Sequence, residues 1–333
     1  MATLNTTSPT MLDLAKLLGP DDKISAIIEI LDEQNEVIPD VVWKEGNLLT
    51  GHKDVMRTGI PAPTWRKLNG GVLPVKSTTA PITFNCGMME QYAKVDKALA
   101  ELNGNTAAFR LSQDKAIIEG MNQEFVDTLF YGNEGTEPEA FTGLTPHLNL
   151  TTADNGGNII LGGGAGTDNA SIWLIGWGEG KIQAIYPKGS KVGLQHTDKG
   201  LMTIQDQEGV TGAMMEAYVT HYRWDAGLAV SDWRFAVRIA NIDKSALTKD
   251  AASGADLPDL MYQAMEMIPN LGSCRPAFYM SRAVRSMARR QITNATKQSV
   301  LTIEDVGGRM VEKFHGIPMR RVDALSADEA LVA

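Results

Sequence analysis

The sequence contains few cysteines and lacks a long apolar run. Only Cys86 and Cys274 are cysteines among its 333 residues, which is too few for a disulfide framework or a four-ligand structural zinc site. No stretch approaches the roughly 18 consecutive apolar residues that a membrane-spanning helix needs. Residues 1–5 lack the basic and apolar regions of a signal peptide. We therefore expect a protein of a reducing cytoplasm that makes no membrane contact.

The composition is also short of positive charge. Lys and Arg total 31 against 40 Asp and Glu, which gives a formal net charge of −9. A surface that coats nucleic acid needs an excess of cations to neutralise phosphates, so the average charge argues against a protein of that class. The hydrophobic fraction of 43% supports a packed core, and the length favours two domains, or one large domain with excursions.

The common signatures of catalytic and cofactor sites are missing. The glycine-rich stretch 162–166 is followed neither by a Lys-Ser/Thr pair nor by a helical pattern, so it matches neither a P-loop nor a dinucleotide fingerprint. The five histidines are scattered, with no Cys or Glu at ligand spacing. No Gly-x-Ser-x-Gly motif occurs. We predict no enzyme activity, no catalytic or metal site and no cofactor.

The apolar periodicity predicts an α+β fold. The longest helical pattern covers residues 106–131, long enough to act as a structural beam, and Gly132 predicts a left-handed stop after it. Apolar extended segments separated by turn residues predict an antiparallel sheet. These segments are 172–175, 181–185, 215–222 and 233–239. A helix over 257–268, a helix capped by Ser281 and a final strand around 313–321 follow.

A long hairpin is predicted between residues 46 and 84. Gly and Pro punctuate residues 46–81 around two extended stretches, 52–58 and 75–84, and the charges between residues 44 and 76 are mostly basic. A two-stranded hairpin with so few apolar residues is marginal in water by itself. The rest of the chain or another subunit must therefore hold it.

Two further segments have opposed charge. An amphipathic helical pattern over residues 24–31 has an acidic polar side and predicts an N-terminal arm that packs on its own domain or on a neighbour. Residues 275–321 contain ten basic and three acidic side chains, a balance of +7 that leaves −16 for the rest. Arg282, Arg285 and Arg289 share one helix face. This basic face is either solvated, or meets an acidic part of another copy or packaged nucleic acid.

The order of arm, basic hairpin, long helix, sheet and late strand resembles that of the major capsid proteins of tailed bacteriophages, which have the Hong Kong 97-type fold. Several short motifs are similar to one podovirus and siphovirus branch of that family, and the likeness covers nearly the whole chain. They are Thr64–Asn69, Glu119–Asn122, Leu129–Asn133, Phe141–Leu144, Asp232–Arg234, Arg238–Ile242 and Phe314–Met319.

The resemblance implies a domain organisation. Residues 1–45 would be the N-terminal arm, 46–85 the E-loop, 86–246 the peripheral (P) domain with spine helix 106–131, and 247–333 the axial (A) domain. In most members, the strand that resembles 316–319 lies mid-chain, whereas here it is almost terminal. We therefore expect a rearranged connectivity, with P-domain strands at 170–246.

The resemblance also implies function. The chain would self-assemble through pentamers and hexamers into an icosahedral shell around the double-stranded DNA genome of a virion, formed in the host cytoplasm. Its partners would be other copies, a portal protein, scaffolding and decoration proteins, and DNA through weak non-specific contact. The E-loop contacts between subunits would come from Lys53, Arg57, Trp65, Arg66 and Lys67. Two alternatives are an encapsulin-like nanocompartment shell and a soluble metabolic enzyme with a site that the sequence does not reveal.

Overall fold

The structure is a computed structural model. It describes residues 33, 35–101, 106–205, 214–294, 301–306, 309–326 and 328–333. The amphipathic helical pattern predicted over residues 24–31 lies outside the described residues.

Four α-helices lie in the described part of the chain. They are α1 (Lys97–Glu101), α2 (Thr106–Tyr131), α3 (Leu257–Met267) and α4 (Arg282–Ile292). The 26-residue α2 has the predicted bounds. Gly132 follows the helix at a crowded position, where a Cβ would lie 2.5 Å from the carbonyl oxygens of Thr128 and Phe141. Gly132 is not among the glycines with positive φ, so the predicted left-handed stop was wrong.

The strands form one sheet of thirteen members. They are β1 (Trp43–Glu45), β2 (Gly51–Gly59), β3 (Thr78–Asp96), β4 (Ile159–Leu161), β5 (Asn169–Trp177), β6 (Ile182–Tyr186), β7 (Gln195–Gln205), β8 (Met214–Val230), β9 (Ala236–Asp243), β10 (Arg275–Met280), β11 (Leu301–Val306), β12 (Arg309–Phe314) and β13 (Ile317–Arg321). The main order is β11-β12-β13-β10-β5-β6-β8-β3-β2. Most pairs are antiparallel, as predicted, but β1–β6, β4–β9, β5–β6 and β10–β13 are parallel.

Several strand predictions differ from the structure. Residues Trp233–Phe235 form a 3₁₀ turn in which the Asp232 side chain accepts a hydrogen bond from the backbone N–H of Arg234, so the strand begins at Ala236. The final strand is a hairpin, β12 and β13, whose turn residues His315 and Gly316 have positive φ. Strand β7 was not predicted, because it is an exposed edge strand on β8 without alternating apolar residues.

The long strands and the long helix form one end of the molecule. Strand β3 pairs with β8 along eleven residues from Cys86 to Asp96, and α2 packs on β3. The exposed edge strand β7 pairs with the other side of β8. A small buried cluster, containing Val95, Leu99 and Phe109, joins α1 and α2 to this end.

The larger core packs the C-terminal half of α2 against the rest of the sheet. Trp173, Trp177, Phe278 and Tyr279 are fully buried there, and the Trp177 indole N–H donates to the Tyr279 hydroxyl at 2.8 Å. Helices α3 and α4 pack on β9 and β13. Strand β10 lies between β5 and β13, so the domain boundary expected at residue 246 falls within one continuous sheet.

Candidate functional site

The predicted hairpin is present and lacks a core along most of its length. Strands β2 and β3 pair antiparallel from Gly51 opposite Asn85 to Gly59 opposite Thr78. Residues 60–77 connect them as a wide loop, which we call the tip. The tip contains a turn in which Gly70 N–H donates to the Lys67 carbonyl at 3.1 Å. The hairpin thus projects from the sheet as an extended ribbon.

A buried histidine fixes the root of this hairpin. His52 is only 5% exposed. Its Nδ1 accepts a hydrogen bond from the backbone N–H of Asn47 at 3.3 Å, and its Nε2 lies 3.0 Å from Oδ1 of Asp54. Both contacts suit the neutral tautomer with the proton on Nε2. The Ser231 hydroxyl, which follows β8, donates to the other oxygen of Asp54. The root is therefore tied to the main sheet.

All five residues predicted for subunit contact are exposed on the hairpin. They are Lys53, Arg57, Trp65, Arg66 and Lys67. Trp65 is 100% exposed, and none of the four cations is paired with a carboxylate among the described residues. The tip also carries other exposed large apolar side chains, namely Ile60, Leu68, Leu73 and Val75. No Asp or Glu occurs between Val55 and Met89. The tip is both apolar and basic, and an exposed apolar patch of this kind marks an interaction surface.

The predicted basic face lies on α4 and has acidic partners in the same chain. Arg282 Nη2 is 3.0 Å from Oδ2 of Asp323. Arg285 and Arg289 both reach Glu312 on β12, at 3.3 and 3.1 Å. The side chains of Arg282 and Arg289 remain 70% and 51% exposed. The structure brings the three arginines together on one face, with part of their charge balanced locally.

Two internal ion pairs were not found by sequence reasoning. Arg320 on β13 donates from Nε and Nη2 to the two carboxylate oxygens of Asp40, both at 2.8 Å. Arg238 on β9 donates from Nη2 to Glu329 at 2.8 Å. The Tyr131 hydroxyl donates to the other Glu329 oxygen at 2.6 Å. The residues of each pair are far apart in sequence, so no local sequence pattern predicts the pairs. They fasten the segments around Asp40 and Glu329 to the sheet.

The described residues contain no group of three His, Cys, Asp or Glu side chains that could hold a metal ion. Among them, no helix has the length and apolarity required to cross a membrane.

Comparison with solved structures identifies the class of protein. The structure of bacteriophage Epsilon15 is similar over 100% of both chains, with 34% sequence identity and a TM-score of 0.79. The capsid of bacteriophage JBD30 matches 90% of this chain and 93% of its own, with 9% identity and a TM-score of 0.51, a likeness of fold alone. A search of curated proteins gives no match. The fold, with its projecting hairpin and long helix, is that of a phage capsid subunit.

The family follows from the sequence itself. The model of the family described as major capsid protein GP7 matches residues 19–333. The chain belongs to this family, so it is a structural protein of a phage virion that self-assembles into an icosahedral shell. The predicted resemblance and the α+β capsid fold are confirmed. The encapsulin of Synechococcus elongatus has 10% identity and a TM-score of 0.42, which is too low to support the nanocompartment alternative.

Proposed function

We propose that this subunit assembles through pentamers and hexamers into the shell that encloses the phage double-stranded DNA genome, and that the shell forms in the host cytoplasm. The observation that carries this proposal is the hairpin tip. It extends from the sheet with Trp65 fully exposed and has no core of its own. A second copy that covers it would provide the missing burial.

The energetics favour contact between copies. Full burial of a large apolar side chain contributes about 1.5–3 kcal/mol. Ile60, Trp65, Leu68 and Leu73 together offer several such contributions from one hairpin. Closed symmetry repeats the same contact at every subunit, so a modest gain for one copy becomes large for the shell. Lys53, Arg57, Arg66 and Lys67 would set the choice of partner surface by charge.

The domain organisation is proposed on the same basis. The arm is 1–45, the E-loop 46–85, the P domain 86–246 with spine helix 106–131, and the A domain 247–333. The paired strands β2 and β3 support the E-loop. Helices α3 and α4, which pack on each other, support a compact A domain. In this rearranged connectivity, β10 joins the A domain to the preceding strands through β5.

The shell would hold DNA weakly and act without catalysis. Glu312 takes up part of the charge of Arg285 and Arg289, and the net charge of −9 leaves no general excess of cations for phosphates. The exposed Arg282 would supply weak, non-specific contact with DNA or with another copy. A portal protein, and scaffolding and decoration proteins, would be the other partners. We propose no enzyme activity and no cofactor for the chain.

The test is the size and content of the purified assembly. We expect shell-sized particles by size-exclusion chromatography and negative-stain microscopy, and DNA inside particles isolated from a phage infection. A monomer or dimer under assembly conditions would contradict the proposal. An enzyme cargo in place of DNA would favour the nanocompartment alternative.

A further inference from the structure

The glycine-rich stretch of residues 162–166 runs beside the end of β9. The Gly164 N–H donates to the Asn241 carbonyl at 2.8 Å. A Cβ on Gly164 would lie 2.7 Å from both that carbonyl oxygen and the backbone nitrogen of Asp243. A side chain there would collide with backbone atoms, so glycine is needed for this close approach. The approach brings the loop up to Asp243, the last residue of β9.

Two carboxylates converge over another glycine of this loop. A Cβ on Gly166 would lie 2.8 Å from Oδ2 of Asp243 and 3.2 Å from Oδ1 of Asp168. The Ser245 N–H donates to the other oxygen of each carboxylate, at 3.0 Å to Asp168 and 3.1 Å to Asp243. Neither carboxylate forms an ion pair with Lys or Arg in the described part of the chain. Two negative charges therefore share one small space, and like charges this close favour a cation between them.

A buried amide oxygen lies beside the two carboxylates. Asn169, the first residue of β5, is only 1% exposed. Its Nδ2 donates to the Gly166 carbonyl at 2.6 Å, whereas its Oδ1 has no hydrogen-bond partner among the described residues. Asn169 is directly opposite Asp243 in the β5–β9 register, so the two side chains leave the same face of the sheet. Buried polar atoms usually have a partner, and a bound cation would provide one here.

We propose that Asp168, Asn169 and Asp243 bind a calcium ion at Gly166. Ca²⁺ takes about six to eight oxygen ligands in flexible geometry, from carboxylates, amide and backbone carbonyls and waters, whereas Mg²⁺ demands a near-ideal octahedron. Two carboxylates and one amide oxygen match the charge and the oxygen preference of Ca²⁺, and loop carbonyls and waters can complete the coordination. Only two ligands are carboxylates, so the site differs from the three-residue groups that the described residues lack.

The position of the ion gives it a structural role. Asp243 ends β9, just before residue 246, where we place the boundary between the P and A domains. Asp168 precedes β5, which pairs with β10 of the A domain. An ion bound to both carboxylates ties these two strands together at the segment that leads into the A domain. Because a ligand that binds only the folded state stabilises it, Ca²⁺ should raise the stability of the subunit. This inference does not depend on shell assembly.

Isothermal titration of the purified, chelator-treated chain with CaCl₂ tests the site. We expect a single ion per subunit, and weaker binding of MgCl₂. Asp168→Asn with Asp243→Asn should lower the Ca²⁺ affinity by roughly ten-fold or more, since even partners of metal ligands contribute that much. Glu139→Gln with Glu266→Gln, two exposed positions outside the loop, makes the same change of charge and should leave the affinity unaltered. No Ca²⁺ binding by the unaltered chain, equal loss in both variants or equal affinity for Mg²⁺ would overturn the inference.

Thermal melting gives a second measurement. The melting temperature of the unaltered chain should rise with added Ca²⁺ and fall back with EDTA. Gly166→Ala places a methyl group 2.8 Å from Oδ2 of Asp243 and should abolish this dependence. Gly157→Ala, where a Cβ meets no atom within 4 Å, should retain it. If Gly166→Ala does not fold, Asp168→Asn gives the same readout. A melting temperature that ignores Ca²⁺ in the unaltered chain, or a Ca²⁺-dependent rise that persists in the loop variants, would contradict the inference. Failure to form shells would instead contradict the proposed function.

Discussion

Arg238 and Glu329 form a buried ion pair with an N–O distance of 2.8 Å. Their side chains are only 3% and 5% exposed. The same guanidinium donates to the Leu148 carbonyl at 2.9 Å and to the Ser171 hydroxyl at 3.1 Å. Asn241 adds a reciprocal pair of hydrogen bonds to the backbone of Val332. Glu329 and Val332 are therefore part of the core of the subunit.

Removal of one partner of this pair should destabilise the subunit strongly. Glu329→Ala leaves the Arg238 charge buried without its carboxylate, which costs about 3–5 kcal/mol in comparable pairs. Chemical denaturation of the unassembled subunit measures the loss. The double variant Arg238→Met with Glu329→Leu removes both charges and should recover much of the stability. A loss below about 1 kcal/mol for Glu329→Ala, the scale of an exposed pair, would contradict the structural role of the pair.

The root of the hairpin should loosen without His52. His52→Ala leaves the Asn47 N–H and the Asp54 carboxylate without their shared partner, and an unmet buried hydrogen bond costs about 1–3 kcal/mol. Hydrogen exchange of the β2 amides should become faster by roughly ten-fold or more, since about 1.4 kcal/mol corresponds to a factor of ten. Amides of α2 provide the internal control. Equal acceleration of hydrogen exchange in β2 and α2 would show that the substitution destabilises the whole subunit and not the hairpin root alone.

The hairpin tip should matter for assembly and not for the fold. Trp65→Ala removes a side chain that is fully exposed in one copy. The free energy of unfolding of the isolated subunit, obtained from thermal melting, should therefore stay within about 0.5 kcal/mol of that of the unaltered chain. Shell yield should fall, because the buried area between copies is lost. Leu150→Ala, at another exposed apolar residue outside the hairpin, is the matched control. A loss of yield for Leu150→Ala as large as that for Trp65→Ala would argue against a specific tip contact.

Stability should depend on pH through Asp127. Its pKa is raised in the fold by burial and then by the charges of Glu124, Glu33 and Glu137. A raised carboxyl pKa means that the folded state disfavours the charged form. The resulting loss of folding stability is absent below the ordinary pKa of Asp, about 3.9. It develops as the pH rises through the raised pKa of the folded state. Asp127→Asn should therefore raise the melting temperature of the unassembled subunit at pH 7.

The acid limit provides the control for this prediction. The difference between Asp127→Asn and the unaltered chain should shrink as the pH falls and should vanish once the carboxyl is protonated in both the folded and the unfolded states. Measurements of melting temperature between pH 3 and pH 7 test it. An advantage of the variant that stays constant over this range would show that charge on Asp127 is not the cause.

Local sequence patterns predicted the elements that depend on local spacing. Helix α2 follows from its apolar residues at three- and four-residue steps, and the hairpin follows from the glycines and prolines that interrupt residues 46–81. Strand β7 escaped prediction because its exposed residues do not alternate. The turn at Trp233–Phe235 escaped because Asp232 replaces a strand hydrogen bond with a side-chain contact. In both cases, the local structure departed from the apolar pattern by which strands are predicted.

Long-range contacts could not be predicted from the sequence. Glu312 meets Arg285 and Arg289 only because β12 is folded against α4, and Arg238 and Glu329 are separated by 91 residues. The exposed basic tip could be predicted, since all its residues lie in one hairpin.

The most direct test of the whole account is a cryo-electron microscopy reconstruction of the particles formed by the purified chain. The account predicts an icosahedral shell of pentamers and hexamers in which the hairpin of residues 51–85 lies across a neighbouring subunit. A small soluble oligomer under assembly conditions, or a shell in which every hairpin contacts only its own subunit, would contradict it.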